Sequence, residues 1–139
     1  MRSRSVRRLR ALAIAAVAPF AGMAAADTIV ARFEAPPLLQ VGDRARLVLV
    51  ADVPPGMPVL VTPESDGATV EVVRGRLLRS DAVDPEASPL RFEVPVAARA
   101  AGHGVVRARV RSFECDAQDR CESAEGTASL TVRVERVER

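Results

Sequence analysis

The sequence predicts an all-β fold, an antiparallel β-sandwich or barrel, and three observations predict it. Beyond residue 26, apolar residues mostly alternate with polar ones, the period of a strand with one buried face. Pro or Gly breaks that alternation about every ten residues, the spacing of short strands joined by turns. No long window carries the 3.6-residue period of an amphipathic helix.

The first segment stands apart. Five arginines (Arg2, Arg4, Arg7, Arg8, Arg10) and no acid precede an apolar run over residues 11–22. That run is shorter than the ~20 residues needed to span a bilayer. It exits through small residues, with Ala24-Ala25-Ala26 fitting an A-x-A cleavage pattern before Asp27. Residues 1–26 therefore read as a cleavable signal peptide, and 27–139 as a single β-sandwich domain. Arg7-Arg8 lacks the flanks of a twin-arginine signal, and no cysteine near the cleavage point offers a lipid-attachment site. The expected location is the periplasm or the medium, with no membrane span after cleavage.

Processing changes the charge. Losing five of the 20 basic residues and none of the 18 acids leaves 15 against 18, a net charge near −3. A mildly acidic domain without Trp or Tyr offers no support for nucleic-acid binding. The 113 residues left of 139 suffice for one modest core.

The elements follow in order. Ala45, Leu47, Leu49 and Ala51 alternate with Arg44, Arg46, Val48 and Val50 in a first strand that Pro54-Pro55-Gly56 stops. Strands over 59–62 and 69–73 flank the turn Ser65-Asp66-Gly67, and a short strand is expected over 76–78. Residues 81–89 form a polar loop. Leu90, Phe92 and Val94 alternate with Arg91 and Glu93 in a strand that Pro95 closes or places on an edge. A helical turn is expected around 97–101, and Gly102-His103-Gly104 reads as a turn into the longest alternation. There Val106, Ala108 and Val110 oppose Arg107, Arg109 and Arg111. In the last strand Ala128, Leu130, Val132 and Val134 oppose Thr127, Ser129, Thr131 and Arg133, and the two strands are expected to pair.

Their connection holds the only two cysteines, Cys115 and Cys121, amid Glu114, Asp116, Asp119, Glu122 and Glu125. An exported chain with one Cys pair is expected to close it as a disulfide, here within the hairpin 115–121. Alternation places Cys115 on the Arg107, Arg109, Arg111 face, outside the core. Surrounding acids would disfavour thiolate, which fits either a structural staple or a reductant and argues against a strong oxidant.

The remaining chemistry is sparse. His103 is read as a turn residue rather than a ligand, and Met57 as packing. Asp81, Asp84 and Glu86 lack an EF-hand pattern. Ser80 and Ser88 have no nearby base. No cofactor-binding or metal-binding motif and no hydrolase or transferase signature is present, so the only enzymic role in view is thiol-disulfide exchange.

Gly42-Asp43, the strand that follows, Pro54-Pro55-Gly56, the strand Leu90 to Pro95, and above all Val106 to Cys115 with five residues to Cys121, resemble the N-terminal periplasmic domain of the thiol:disulfide interchange protein DsbD family. The resemblance implies an immunoglobulin-like sandwich. It also implies that Cys115 and Cys121 are a redox pair passing electrons to or from a thioredoxin-like partner. Two departures stand out: Phe113 where the family commonly has a Tyr, and Glu122-Ser123-Ala124 where it has an aromatic-Pro-Pro run. The alternative function is a non-catalytic immunoglobulin-like module that binds another envelope protein and uses the disulfide as a staple.

Overall fold

The computed structural model describes residues 28–137, so the segment read as a signal peptide lies outside the described residues. Nine strands fill this span: β1 (Ala31–Phe33), β2 (Leu39–Gln40), β3 (Arg44–Ala51), β4 (Val59–Ser65), β5 (Val70–Val72), β6 (Leu77–Leu78), β7 (Leu90–Ala98), β8 (Gly102–Cys115) and β9 (Cys121–Glu135). They form two sheets, one ordered β1-β3-β7-β5 and the other β2-β9-β8-β4-β6. Ser65-Asp66-Gly67 leads from β4 in the second sheet to β5 in the first, so this turn crosses between layers rather than closing a hairpin.

The alternation expected from the sequence sets the core. Leu47, Leu49, Leu90, Phe92, Val94, Val106, Val110 and Val132 are buried between the sheets, and Phe92 is the largest of them. At ~25 cal/mol per Å² of apolar surface, each such side chain contributes on the order of 2 kcal/mol. The opposite residues of the same strands, Arg44, Arg46, Arg91, Glu93, Arg107 and Arg109, face solvent.

Pro95 does not close the strand, and the edge placement is the reading that holds. The strand runs past it to Ala98, and β3 and β5 pair on either side. The Pro95 carbonyl accepts from the Val73 amide at 2.9 Å, so its hydrogen-free nitrogen also faces the β5 side, just where β5 ends at Val72. Pro63 repeats the device inside β4. Its nitrogen points away from β8, beyond the last pairing with β6 at Val61. Each proline thus sits where a donor is not needed, and each blunts an edge.

Two further expectations are corrected. Residues 97 and 98 complete β7, with Ala97 opposite Arg44 and Glu71, and no helical turn forms over 97–101. Gly102-His103-Gly104 is the start of β8 rather than a turn, with His103 opposite Arg133. Strand pairing on both flanks outweighs the helix propensity of the alanines.

Residues 28–40 were not read as strands. Thr28 bridges β9 at Glu125 in parallel, β1 then crosses to pair with β3, and β2 returns to β9. Gly126 makes this possible, because a Cβ there would overlap the Ile29 carbonyl oxygen.

Candidate functional site

The site is the far end of the β8/β9 hairpin. These strands pair from Gly102↔Val134 to Cys115↔Cys121 in one unbroken register. With no bulge, the parity of each side chain is fixed along the whole ladder. Val106, Ala108, Val110 and Ser112 point inward and are buried, yet Glu114, next on that row, is exposed. Every residue from 113 to 123 is exposed, so the hairpin outruns the core after Ser112.

Cys115 and Cys121 are directly opposite, with Cα atoms 4.0 Å apart and a 2.04 Å S–S bond. The next pair out, Asp116 and Arg120, is joined by the Asp116 amide donating to the Arg120 carbonyl at 2.9 Å. The cysteines therefore occupy a non-hydrogen-bonded position, where facing side chains come closest.

Asp116 also builds the turn. Its carboxylate accepts from the amides of Gln118 and Arg120, both at 2.9 Å. Asp119 takes the left-handed conformation at φ 58°, which Asp tolerates better than most residues. The Asp119 carbonyl oxygen lies 4.0 Å from the Cys121 sulfur. A disulfide sulfur carries no proton, so this becomes a hydrogen bond only in the dithiol form.

The acids do not encircle the disulfide as their sequence positions suggested. Glu114 and Glu122 are opposite each other on the inward parity, the far side of the hairpin from the sulfurs. On the disulfide's own face the neighbours are Phe113, 42% exposed, and Ser123, its partner in register. The next pair on that face is Arg111 and Glu125. Glu125 is hydrogen-bonded by Arg109 and lies 3.9 Å from Arg111. The Arg109 hydrogen bond holds the Glu125 carboxyl below its usual range. On its strand side the approach to the sulfurs is thus lined by Phe113 and Ser123 and bordered by Arg109, Arg111 and Glu125, while on its turn side the exposed Asp119 and Arg120 adjoin Cys121.

The other sequence candidates lie elsewhere. His103 is exposed at the opposite end of β8, beside a recess of about 700 Å³ lined by Gln40, Arg133 and Arg136. Met57 packs against the core. Asp81 caps the Leu78 amide at 2.8 Å and pairs with Arg74, while Asp84 accepts from the Glu86 amide. These contacts make them loop-ordering groups. Ser80 and Ser88 are exposed. Among the described residues, no group of three or more His, Cys, Asp or Glu side chains is placed to hold a metal ion. Among the same residues, no helix is long and apolar enough to cross a membrane. Sequence reasoning missed Ser112, whose buried hydroxyl has no hydrogen-bond partner among the described residues; its place on the inward row was the available signal.

No protein-family model matches the sequence, and no curated protein matches it. Solved structures do. Native alpha-2-macroglobulin from Escherichia coli, spanning domain MG7 to the C-terminus, aligns with a TM-score of 0.55 at 19% identity over 80% of this chain. The fold is an immunoglobulin-like β-sandwich. The chain covers only 17% of that macroglobulin fragment. Trypsin-activated alpha-2-macroglobulin from the same organism gives 0.47 at 18% identity, covering 76% of this chain and 7% of that one. The ASH/PapD-like domain 7 of human CEP192 gives 0.42 at 11% identity, covering 81% and 89%.

Proposed function

We propose that the chain is an exported thiol-disulfide exchange module that relays electrons through Cys115 and Cys121 to or from a thioredoxin-like partner. The observation that carries this reading is the disulfide's position: both cysteines are exposed, beyond the core, on the face of the hairpin that also presents Phe113 and Ser123. Thiol-disulfide exchange requires a thiolate to reach a sulfur, and none of the described residues folds over this face of the hairpin. Export is part of the proposal, supported by the composition of residues 1–26 and by the disulfide itself, which persists in oxidising compartments. Mass spectrometry of the product should then find Asp27 as its first residue.

A second reading is favoured by one feature. The disulfide closes the longest hairpin at the end where fraying would begin, which suits a brace in a binding module. The reduction potential decides between them. Equilibration of purified protein against glutathione and thioredoxin buffers, with thiols counted by alkylation, should give a value near ~−270 mV for a relay. A bond that stays closed below about −300 mV is a staple.

A further inference from the structure

We infer that the Phe113 face of the hairpin is a docking surface for a dithiol protein, and that Phe113 selects protein thiols over small ones. The inference rests on the exchange reading above. Parity gives the hairpin end two unlike faces. One presents Phe113, Cys115, Cys121 and Ser123; the other presents Glu114 opposite Glu122. Only the first face reaches the sulfurs.

The occupant follows from the chemistry. One partner thiolate attacks a cysteine sulfur and forms a mixed disulfide, while the other cysteine leaves as a thiolate and takes a proton from solvent. The partner's second thiolate then attacks the partner sulfur of that mixed disulfide. The remaining cysteine is released, the partner is left oxidised, and two electrons have moved to this chain. The reverse sequence donates them.

A partner docking on such a site covers ~800 Å² per side, a footprint far wider than the disulfide. Phe113 is two residues from Cys115 on the same face and diagonal to Cys121, within ~8 Å of both. A protein footprint centred on the sulfurs therefore lands on its ring. Phe113 is 42% exposed with no place in the core cluster, and it is the only large apolar side chain on this face of the hairpin end. Aromatic side chains, Phe among them, are enriched in the buried cores of protein interfaces. A small thiol touches the sulfurs alone and has no use for it.

The test compares reduction rates of the mature domain by reduced thioredoxin and by glutathione, for the unaltered protein, Phe113→Ala, Phe113→Leu and, as a control on the opposite face, Glu114→Gln. Phe113→Ala should slow reduction by thioredoxin at least tenfold, leave reduction by glutathione within twofold, and be partly rescued by Phe113→Leu. Glu114→Gln should match the unaltered protein. Circular dichroism confirms that each variant is folded. Equal thioredoxin rates with and without Phe113, or equal effects on both thiols, overturn the docking surface while leaving exchange intact. Failure of the unaltered protein to exchange with thioredoxin overturns the exchange reading and this inference with it.

Discussion

Removing the disulfide should cost no more stability than the chain entropy of its own small ring, and the size of the loss can be worked out. The perturbation is the pair of substitutions Cys115→Ser and Cys121→Ser, alongside chemical reduction of the unaltered protein. The bond closes a ring of seven residues, 115 to 121. Chain entropy for a ring of that size gives about 8 cal/mol/K, or about 2.4 kcal/mol at 25 °C. No core side chain leaves the sandwich, because burial on the inward row ends at Ser112 and Ala124 is only half-buried. The loss should therefore stay at or below this figure, a fall of roughly 10 °C in Tm for a domain of this size. The chain has no Trp and no Tyr, so the assay is a urea titration followed by far-ultraviolet circular dichroism. The transition should remain cooperative, with a midpoint shift and little change in slope. A loss above about 4 kcal/mol, or a broad non-cooperative transition, would refute the claim that the hairpin end lies outside the folding core.

Three further outcomes are expected. Phe92→Ala, at a fully buried site in β7, should cost about 3 to 5 kcal/mol in the same titration, more than loss of the disulfide. Gly126→Ala forces a Cβ against the Ile29 carbonyl oxygen and should destabilise by about 1 to 3 kcal/mol, with faster hydrogen exchange at the Ile29 amide that bonds Glu125. The Leu78 amide, and then Arg74, hold the Asp81 carboxyl below its usual range. A lowered folded value stabilises above the unfolded value near ~3.9 and is lost as pH falls through the lower one. The midpoints of the unaltered protein and Asp81→Asn should thus differ at about pH 6 and converge as the pH falls through ~3.9 and below.

The strands that alternate cleanly were legible, because burial of one face writes the period directly into the residues. Within the long ladder, the stretches Val106 to Arg111 and Thr127 to Val134 and their pairing follow from that rule. The opening 28–40 was not legible. Its strands are two and three residues long, and the chain changes sheets between them, so no alternation builds up. The alanines at 97, 98, 100 and 101 carried a helical signal that pairing with β3 and β5 overrode. The glycines around His103 suggested a turn, but Gly104 sits in a tight strand position, where a Cβ would come within 3.1 Å of the Thr69 side chain. Of the two readings of Pro95, closure fails and the edge placement holds, because proline forbids one hydrogen bond, not a strand. It closes nothing here because it lies at the end of the β5 pairing, where the Val73 amide still donates to its carbonyl and only its own donor is lacking.

The charges around the cysteines show why neighbours in sequence are poor guides to a strand site. Glu114 and Glu122 adjoin the cysteines in the chain, yet the pleat sends their carboxylates to the other face and into water. One oxygen of Asp116 accepts from both turn amides, and Glu125 pairs with Arg109 and Arg111. A thiolate forming on the disulfide face therefore meets less negative potential from Glu114, Glu122 and Glu125 than the sequence implies, and the charge of Asp119 beside Cys121 is screened over ~8 Å at physiological salt. Glu114 and Glu122 still repel one another across the ladder. That repulsion acts on the hairpin end rather than on the sulfurs, and in the oxidised form the disulfide one pair further out opposes it. Once the bond is reduced, only the Asp116 turn still opposes the repulsion beyond that pair. Opening of the end in the dithiol form should consequently diminish as salt is added, while the oxidised hairpin should hardly respond.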